Sequence, residues 1–319
     1  MRASLAATLR AAAGHAYWAL PHFLARARGR VMILMYHRVL PRGDVPSACV
    51  QPGMYVTQST FERHLRFLRT YFETLSFPDL LRRWSAGDWS ESTRYCLVTF
   101  DDGWLDTYRH AFPLLRAYRL PATVFLPTAL VGSAEPLWTD RLADLLRRRG
   151  AGRLEDWDAQ IECAKQLDDG QRAEMLDALA AEVGEIADGR RRYIDWAEAR
   201  EMSACGITFG SHTMTHANLT RLTAAALDRE LRGSLDVLRA QEGVNWVPAL
   251  AYPNGDYTAE VAAATRAAGY RAALTTRPGL ETGRPADPYR LARIGLHEDV
   301  SGSVPETALH IARVVRSCP

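Results

Sequence analysis

Residues 95–104, YCLVTFDDGW, join a short apolar run to two adjacent carboxylates and a glycine. The run 95–100 is rich in β-branched and aromatic residues and has the length of a buried strand. The tripeptide DDG itself carries little information, since it recurs at 168–170 between two helical patterns, where Asp and Gly are ordinary cap and turn residues. Any chemistry at Asp101 and Asp102 therefore has to be argued from their surroundings.

Short β-rich runs alternate with helical patterns along the chain from residue 31. This alternation predicts a parallel sheet in an α/β fold. The number of strands, without a glycine-rich nucleotide fingerprint, favours a closed or nearly closed barrel. The predicted strands are VMILMY (31–36), YCLVTF (95–100), ATVFLP (122–127), GITFG (206–210), VPALAY (247–252), YRAALTT (270–276) and LARIGL (291–296).

Residues 133–200 break the alternation. This stretch is polar and rich in Arg, Asp and Glu, and its pattern is helical in period. It is too short and too charged to build a large core of its own. We therefore expect one domain over 31–319, with a helical insertion at about 133–200 carried on one β-to-α connection.

Composition excludes few classes of protein but sets useful bounds. The chain has 319 residues, 47% hydrophobic and 24% charged, which is typical of a globular enzyme-sized protein. A formal net charge of +2 provides no strong positive field, so we expect no nucleic-acid partner. The five cysteines are scattered and include no CxxC pair, which indicates reduced thiols rather than a disulfide framework.

The first 30 residues contain five arginines and no acid around a moderately apolar run. His15, Pro21 and His22 interrupt that run, whereas a secretory signal or a membrane span needs a continuous apolar segment. Two alternatives stay open: a basic amphipathic segment in peripheral contact with an anionic membrane, or a soluble helix packed on the domain. Either alternative favours the cytoplasm or the inner membrane face over secretion.

A second polar cluster follows another predicted strand. In FGSHTMTHANL (209–219), His212 and His216 are four residues apart, a spacing that on a helical turn sets both imidazoles on one side. The carboxyl ends of strands are where α/β barrels carry their chemistry, and Asp101 and Asp102 occupy the same place on a different strand. Two imidazoles and one carboxylate form a recurrent site for zinc, iron or a similar divalent ion.

The segments TFDDG and SHTMTH together resemble the first two motifs of the NodB-homology polysaccharide deacetylases, carbohydrate esterase family 4, over about residues 31–300. The resemblance implies a distorted (β/α)7 barrel that removes acetyl groups from N-acetylated amino sugars of a polysaccharide or its precursor. It also implies a divalent metal, with zinc the leading choice and cobalt, nickel or iron as alternatives. The similarity extends to the exopolysaccharide and poly-N-acetylglucosamine deacetylases as the nearest subgroup.

Carried onto this chain, the resemblance implies that Asp102, His212 and His216 bind the metal and that Asp101 is the general base. Adjacent residues at a strand end point to different sides, which agrees with this division of roles. The metal lowers the pKa of its bound water to roughly 7, and that water attacks the acetamide carbonyl.

The third family motif corresponds here to AYPNGDY (251–257). Pro253 and Gly255 match it, and the backbone N–H of Asn254 falls at the family's oxyanion donor. The arginine that usually orients the base is replaced by Ala251, which leaves the support of Asp101 unexplained. The YPNG sequence itself resembles variants found in biosynthetic exopolysaccharide deacetylases.

Two aromatic residues, Trp104 and Tyr252, are candidates to stack on sugar rings, and core packing is the alternative for both. With Pro253, Asn254 and Gly255 they complete the predicted substrate-binding set.

The general acid has two candidates. His37, in LMYHRVL, ends the first predicted strand, and His297, in RIGLHED, ends the last. The first and last strands of a closed barrel are neighbours, so both side chains can reach one site. YHRV resembles the opening strand of the poly-N-acetylglucosamine deacetylases, in which this histidine is the acid, whereas GLH resembles a late Leu-x-His motif of other members. We favour His37 and keep His297 as the alternative.

Two other functions fit the sequence less directly. The same barrel hosts hydrolases of other non-peptide C–N bonds, such as cyclic amides. A non-catalytic glycan-binding protein is the third hypothesis, motivated by the loss of the motif arginine at Ala251.

Overall fold

The computed structural model describes residues 21–48, 50–150, 154–167, 169–184 and 189–317. The first 20 residues of the predicted amphipathic segment lie outside the described residues. The next part forms the short helix α1 (Pro21–Arg26), beyond which Ala27 is buried in the main core. In the described part of the chain, no helix is both long enough and apolar enough to cross a membrane.

A curled sheet forms the centre of the fold, with strands β1, β5, β6, β7, β8 and β9 parallel and adjacent in this order. The sheet forms a half-barrel rather than a flat layer. The short strand β10 runs antiparallel to β1, and β11 runs parallel to it. The strands are β1 (Arg30–Tyr36), β2 (Arg38–Leu40), β3 (Tyr55–Thr57), β4 (Glu73–Thr74), β5 (Tyr95–Phe100), β6 (Ala122–Leu126), β7 (Ile207–Ser211), β8 (Trp246–Ala251), β9 (Ala272–Leu274), β10 (Glu281–Thr282) and β11 (Ile294–Gly295).

Helices cover the sheet because each parallel connection needs a crossover. A π-helical turn, Thr107–Ala111, precedes α4, next to the proline at position 113. The helices after α1 are α2 (Gln58–Tyr71), α3 (Phe77–Ala86), α4 (Phe112–Tyr118), α5 (Trp138–Arg148), α6 (Leu154–Ala164), α7 (Asp169–Val183), α8 (Trp196–Ala204), α9 (Ala224–Arg239), α10 (Ala259–Ala267), α11 (Glu298–Ser301) and α12 (Val304–Ser317).

Strands β5, β6 and β7 are buried at every position, as expected for a parallel sheet with both faces covered. Such strands read as continuous apolar runs, which is why YCLVTF and ATVFLP were recognisable. None of these three strands contains a charged residue or a histidine, and the aspartates and histidines that follow β5 and β7 place the chemistry at the carboxyl ends.

Four of the described helices, α5 to α8, lie between β6 and β7, where the sequence predicts a helical insertion at 133–200. The first three share a small apolar cluster that includes Leu146, Ile161 and Leu176. The status of these helices as an insertion and the sevenfold (β/α)7 count stay predictions.

The last predicted strand, 291–296, is shorter than expected. Only Ile294–Gly295 pairs as a strand, with β1, whereas Leu291 forms an isolated parallel bridge to Leu274 of β9. The segment changes partner within four residues, so it cannot form a continuous ladder with either strand. It contacts both ends of the curled parallel sheet.

Close packing between strands makes Gly210 of β7 a sensitive position. A Cβ atom there would lie 2.5 Å from the Phe125 ring and 3.0 Å from the Ala249 carbonyl oxygen. We expect Gly210→Ala to lower the free energy of unfolding by about 1–3 kcal/mol, the range for overpacked cores. Urea denaturation checks this, with Gly43→Ala as the control because a Cβ at Gly43 meets nothing within 4 Å. Equal stability of the two variants would contradict the packing argument.

Candidate metal centre and active site

The polar side chains of the sequence motifs meet at the carboxyl edge of the sheet. Asp101 and Asp102 follow β5, His212 follows β7, and β6 lies between them, with the Leu126 carbonyl accepting a 2.8 Å hydrogen bond from the His212 N–H. His37 follows β1, which pairs with β5 on its other side. Together they line a cavity of about 410 Å³.

Three of these residues form a cluster with the geometry of a metal site. One ligand atom from each of Asp102, His212 and His216 lies within 4.8 Å of the others. Oδ1 of Asp102 is 3.5 Å from Nε2 of His212 and 3.4 Å from Nε2 of His216. Two imidazole nitrogens facing one carboxylate oxygen suit a divalent cation, so the residues present fit the expected group.

The protonation pattern of His212 favours metal binding. Its Nδ1 lies 2.7 Å from the carbonyl oxygen of Ala251, which can only accept a hydrogen bond. Nδ1 therefore carries the proton, and Nε2 is directed toward Asp102. Such a carbonyl contact on the far nitrogen is how proteins orient histidine ligands.

Trp104 holds the other oxygen of the carboxylate. Its indole N–H donates to Oδ2 of Asp102 at 3.2 Å, while the ring is only 4% exposed and packs on Tyr193. The expectation that Trp104 lines a sugar groove is therefore corrected: the buried indole fixes the carboxylate so that Oδ1 faces both histidines.

Electrostatics keeps Asp102 and His216 in the forms that bind cations, whereas His212 holds a proton that a metal must displace. Burial lowers the pKa of His216 to about 4, so its imidazole is neutral near pH 7. Burial also opposes the charge on Asp102, but the nearby histidines outweigh it and hold the pKa of Asp102 well below its ordinary value. Burial lowers the pKa of His212, but the nearby carboxylate of Asp102 raises it, and the net effect is a pKa above the ordinary value.

The histidine pair sits on a loop, not on the helical turn that its spacing suggested. Thr213 and His216 have φ values of 67° and 62°, in the left-handed region. Asp102 and Asn254, at 68° and 58°, share this unusual conformation. Most of the described non-glycine residues with positive φ thus lie at the site, where such backbone strain commonly concentrates.

Arg293 is the residue that sequence reasoning missed. Its guanidinium makes two parallel hydrogen bonds to Asp101, Nη1 to Oδ1 at 2.8 Å and Nη2 to Oδ2 at 2.7 Å. Its Nε donates to the Thr275 carbonyl at 2.9 Å, and the side chain is fully buried. Arg293, in the segment before β11, therefore supports Asp101 in place of the motif arginine that Ala251 replaces.

A signal for Arg293 exists in the sequence. It lies in LARIGL between apolar neighbours, and a buried arginine requires an anionic partner. Burial would raise the pKa of Asp101, but the Arg293 guanidinium outweighs that effect and holds this pKa below its ordinary value. Asp101 is consequently ionised at neutral pH, as a base must be.

The third motif forms a tight turn at the cavity wall. Asn254 is exposed, and no described residue accepts a hydrogen bond from its N–H. Gly255 approaches Thr276 so closely that a Cβ would lie 2.2 Å from its hydroxyl oxygen. Pro253 is buried at the start of the turn. These two residues shape the turn, and Asn254 offers the free donor.

Tyr252 does not present its ring to the cavity. The side chain is fully buried, stacks on Tyr257 and donates its hydroxyl hydrogen to the Tyr289 carbonyl. The predicted sugar contact by this ring is corrected to core packing, because no face of the ring is accessible.

Both candidate acids reach the cavity, as the pairing of β11 with β1 requires. Burial lowers the pKa of His37, against the attraction of Asp102 and Asp101. His297 is instead engaged with Asp299 at 3.1 Å. A third histidine, His310, also lines the cavity and donates to the Gly295 carbonyl.

Comparisons with known proteins agree with this geometry. The profile of the family described as polysaccharide deacetylase matches residues 90–273, more than half of the chain. The chain therefore belongs to the polysaccharide deacetylase family, hydrolases of carbon–nitrogen bonds that use a divalent metal.

Individual relatives are distant. The chain is 24% identical over 278 residues to YxkH of Bacillus subtilis, provisionally named a polysaccharide deacetylase, which covers 86% of this chain and 74% of that protein. The structure of Streptococcus pyogenes deacetylase PplD with acetate is similar at a TM-score of 0.63 and 21% identity, covering 89% and 99% of the two chains. IcaB from Ammonifex degensii gives a TM-score of 0.57 at 20% identity, covering 89% and 97%. Both structures share the fold.

Removal of Arg293 tests the support of Asp101. In Arg293→Met we expect the acidic limb of the kcat/KM profile to move to higher pH by roughly 1–3 units, because the carboxylate loses its stabilising cation. Arg293→Lys keeps the positive charge but loses the two parallel hydrogen bonds, so we expect it to move the acidic limb less. Kinetics of acetate release across pH measures both.

Arg172→Met is the matched control, since Arg172 is also buried but binds the carbonyls of Ala164 and Leu167 in the helical region. An acidic limb that stays in place in Arg293→Met would show that Asp101 does not depend on this arginine.

Zinc binding is expected to weaken as the pH falls, because the metal competes with the proton that Asp102 holds on His212. Titration calorimetry at pH 6 and pH 8 should show up to about tenfold lower affinity per pH unit with proton release. Asp102→Ala should abolish binding, whereas His310→Ala, a histidine of the same cavity, should retain it. A pH-independent affinity would refute this ligand set.

Proposed function

We propose that the protein is a metal-dependent N-deacetylase of acetylated amino sugars in a polysaccharide or its precursor. The observation that carries the proposal is the pairing of a metal-type cluster, Asp102 with two histidines, and an adjacent carboxylate, Asp101, held by Arg293. Metal-assisted amide hydrolysis needs one carboxylate to bind the metal and a second to transfer the proton.

The site residues have separable roles in this reaction. A divalent metal bound by Asp102, His212 and His216 supplies a Lewis acid that polarises the acetyl carbonyl and acidifies water. Asp101 accepts the proton of the attacking water. The free N–H of Asn254 donates to the developing oxyanion, the type of contact that stabilises acyl-transfer transition states.

His37 is our choice for the general acid that protonates the leaving nitrogen. Its side chain makes no hydrogen bond within the described residues, and it interacts electrostatically with both Asp101 and Asp102. His297 is hydrogen-bonded to Asp299 and would have to break that bond to reach the substrate.

A polymeric substrate is supported by a second hollow of about 560 Å³ that continues from the metal cavity. The two share Lys165 and Asn254 in their walls. The second hollow lies between α6 and the loops after β7 and β8, and its walls are polar, with Arg221 and Asp256 among them. Such walls suit sugar hydroxyl groups beyond the residue being deacetylated.

Three finer assignments rest in turn on the donor set of the metal site, on the motif resemblance, and on the cysteines and basic first 30 residues of the sequence. We propose zinc as the metal, because the donor set is two nitrogens and one oxygen. We also propose an exopolysaccharide of the poly-N-acetylglucosamine type as substrate and a location in the cytoplasm or on the inner membrane face. The glycan-binding alternative loses its motivation, since Arg293 supplies the contact that Ala251 lacks.

Acetate release from N-acetylglucosamine oligomers of increasing length tests the proposal. We expect release by the zinc-loaded protein, loss on chelation, and a drop of more than a hundredfold in Asp102→Ala, since catalytic metal ligands are indispensable. Asp228→Ala, an exposed aspartate paired with Arg232 on α9, is the matched control and should retain activity. Cyclic imides run in parallel separate the alternative C–N hydrolase. Turnover of imides without acetate release would reject deacetylation.

A further inference from the structure

An arginine-lined cavity of about 400 Å³ lies beside the metal cavity and has no part in the reaction above. Six arginines contribute to its wall: Arg38, Arg109, Arg147, Arg190, Arg191 and Arg192. They come from β2, the π-helical turn, α5 and the segment before α8. Four separate parts of the chain thus bring cations to one hollow.

The acids in the wall do not neutralise it. Asp106 is bound to Arg38 at 2.7 Å and Asp144 to Arg192 at 3.2 Å. Asp44 is the remaining carboxylate in the wall. Arg191 is paired with Glu198 at 2.5 Å and with Asp195 at 3.2 Å, two acids that lie outside the wall. Six arginines against these five acids leave an excess of one positive charge.

Three of these arginines have donors with no acceptor among the described residues. Arg109 and Arg147 make no ion pair with any described residue, and both are exposed at the cavity. The Nε of Arg192 is buried and has no hydrogen-bond acceptor. A buried unpaired N–H is costly, and an anion placed in the cavity would satisfy it.

The cavity also contacts the metal centre through one side chain. The Arg38 guanidinium lies 4.4 Å from the centre of the Trp104 ring, and Trp104 donates to Asp102. Trp104 would therefore lie between such a ligand and the carboxylate of Asp102.

We propose that this cavity binds a diphosphate-class anion. Guanidinium forks match phosphate oxygens, and two arginines without an ion pair to any described residue, Arg109 and Arg147, suit a ligand with more than one negative charge better than a single carboxylate. The volume accommodates two linked phosphates. The diphosphate belongs to a free ion, a nucleotide sugar or a lipid-linked glycan, which share this chemistry.

Calorimetric titration of the zinc-loaded full-length protein with inorganic pyrophosphate tests the proposal. We expect a dissociation constant below about 1 mM and at least tenfold weaker binding in the double variant R109Q/R147Q, since each lost guanidinium removes charge-assisted hydrogen bonds. The control R69Q/R229Q removes the same charge at exposed positions on α2 and α9, away from the cavity, and should bind as the unaltered protein does. Pyrophosphate bound at the metal itself would persist in both double variants.

Parallel titrations identify the source of the diphosphate. UDP-N-acetylglucosamine and vesicles containing a polyprenyl diphosphate are compared with pyrophosphate, and cavity-dependent binding of either identifies the carrier. Binding of pyrophosphate alone identifies the free ion. No binding at 10 mM pyrophosphate, equal affinity in R109Q/R147Q, or tighter binding of galacturonate would overturn the proposal. These readouts do not depend on acetate release, so they fail independently of the proposed deacetylation.

Discussion

The buried ion pair between Arg293 and Asp101 is the contact on which the site depends. Both side chains are almost completely buried, and two parallel hydrogen bonds join them. Removing either partner of such a pair leaves an uncompensated charge that costs about 3–5 kcal/mol. The pair also links the segment before β11 to the end of β5, so it holds together the part of the sheet from which both candidate acids emerge.

A second constraint separates two carboxylates that are neighbours in the chain. Asp102 takes a φ of 68° and Gly103 a φ of 63°, so the chain turns sharply as it leaves β5. A Cβ at Gly103 would lie 2.5 Å from the Leu126 side chain, which explains the glycine. Asp101 is thereby directed to Arg293, and Asp102 to the histidines and Trp104. In the recurrence of DDG at 168–170, Asp169 and Gly170 instead begin the helix α7.

Much of the fold and part of the site were predictable from the sequence. The buried runs YCLVTF and ATVFLP form strands with nearly the expected bounds because a covered parallel sheet demands apolar residues at every position. The rule that parallel strands end at the same edge brought the two aspartates and the two histidines together, and the family resemblance selected Asp102 as the ligand that joins His212 and His216. The helical turn predicted for the histidines was wrong, since backbone strain at Thr213 and His216 is invisible to spacing.

Contacts made by distant segments escaped prediction. Arg293 is separated from Asp101 by 192 positions, and only the buried register of the last segment brings them together. The roles of Trp104 and Tyr252 depended on which way each ring points, and periodicity cannot show this for a residue just beyond a strand. Both rings point into the protein: Trp104 contacts the carboxylate of Asp102, and Tyr252 packs in the core.

The most direct test of this account is anomalous diffraction at the zinc edge from crystals of the metal-loaded protein. The account predicts a single peak about 2.0–2.2 Å from Oδ1 of Asp102 and from Nε2 of His212 and His216. Asp101 should remain off the metal and joined to Arg293 by both of its oxygens. A peak bound to Asp101, or at a different set of side chains, would contradict the division of the two carboxylates into ligand and base.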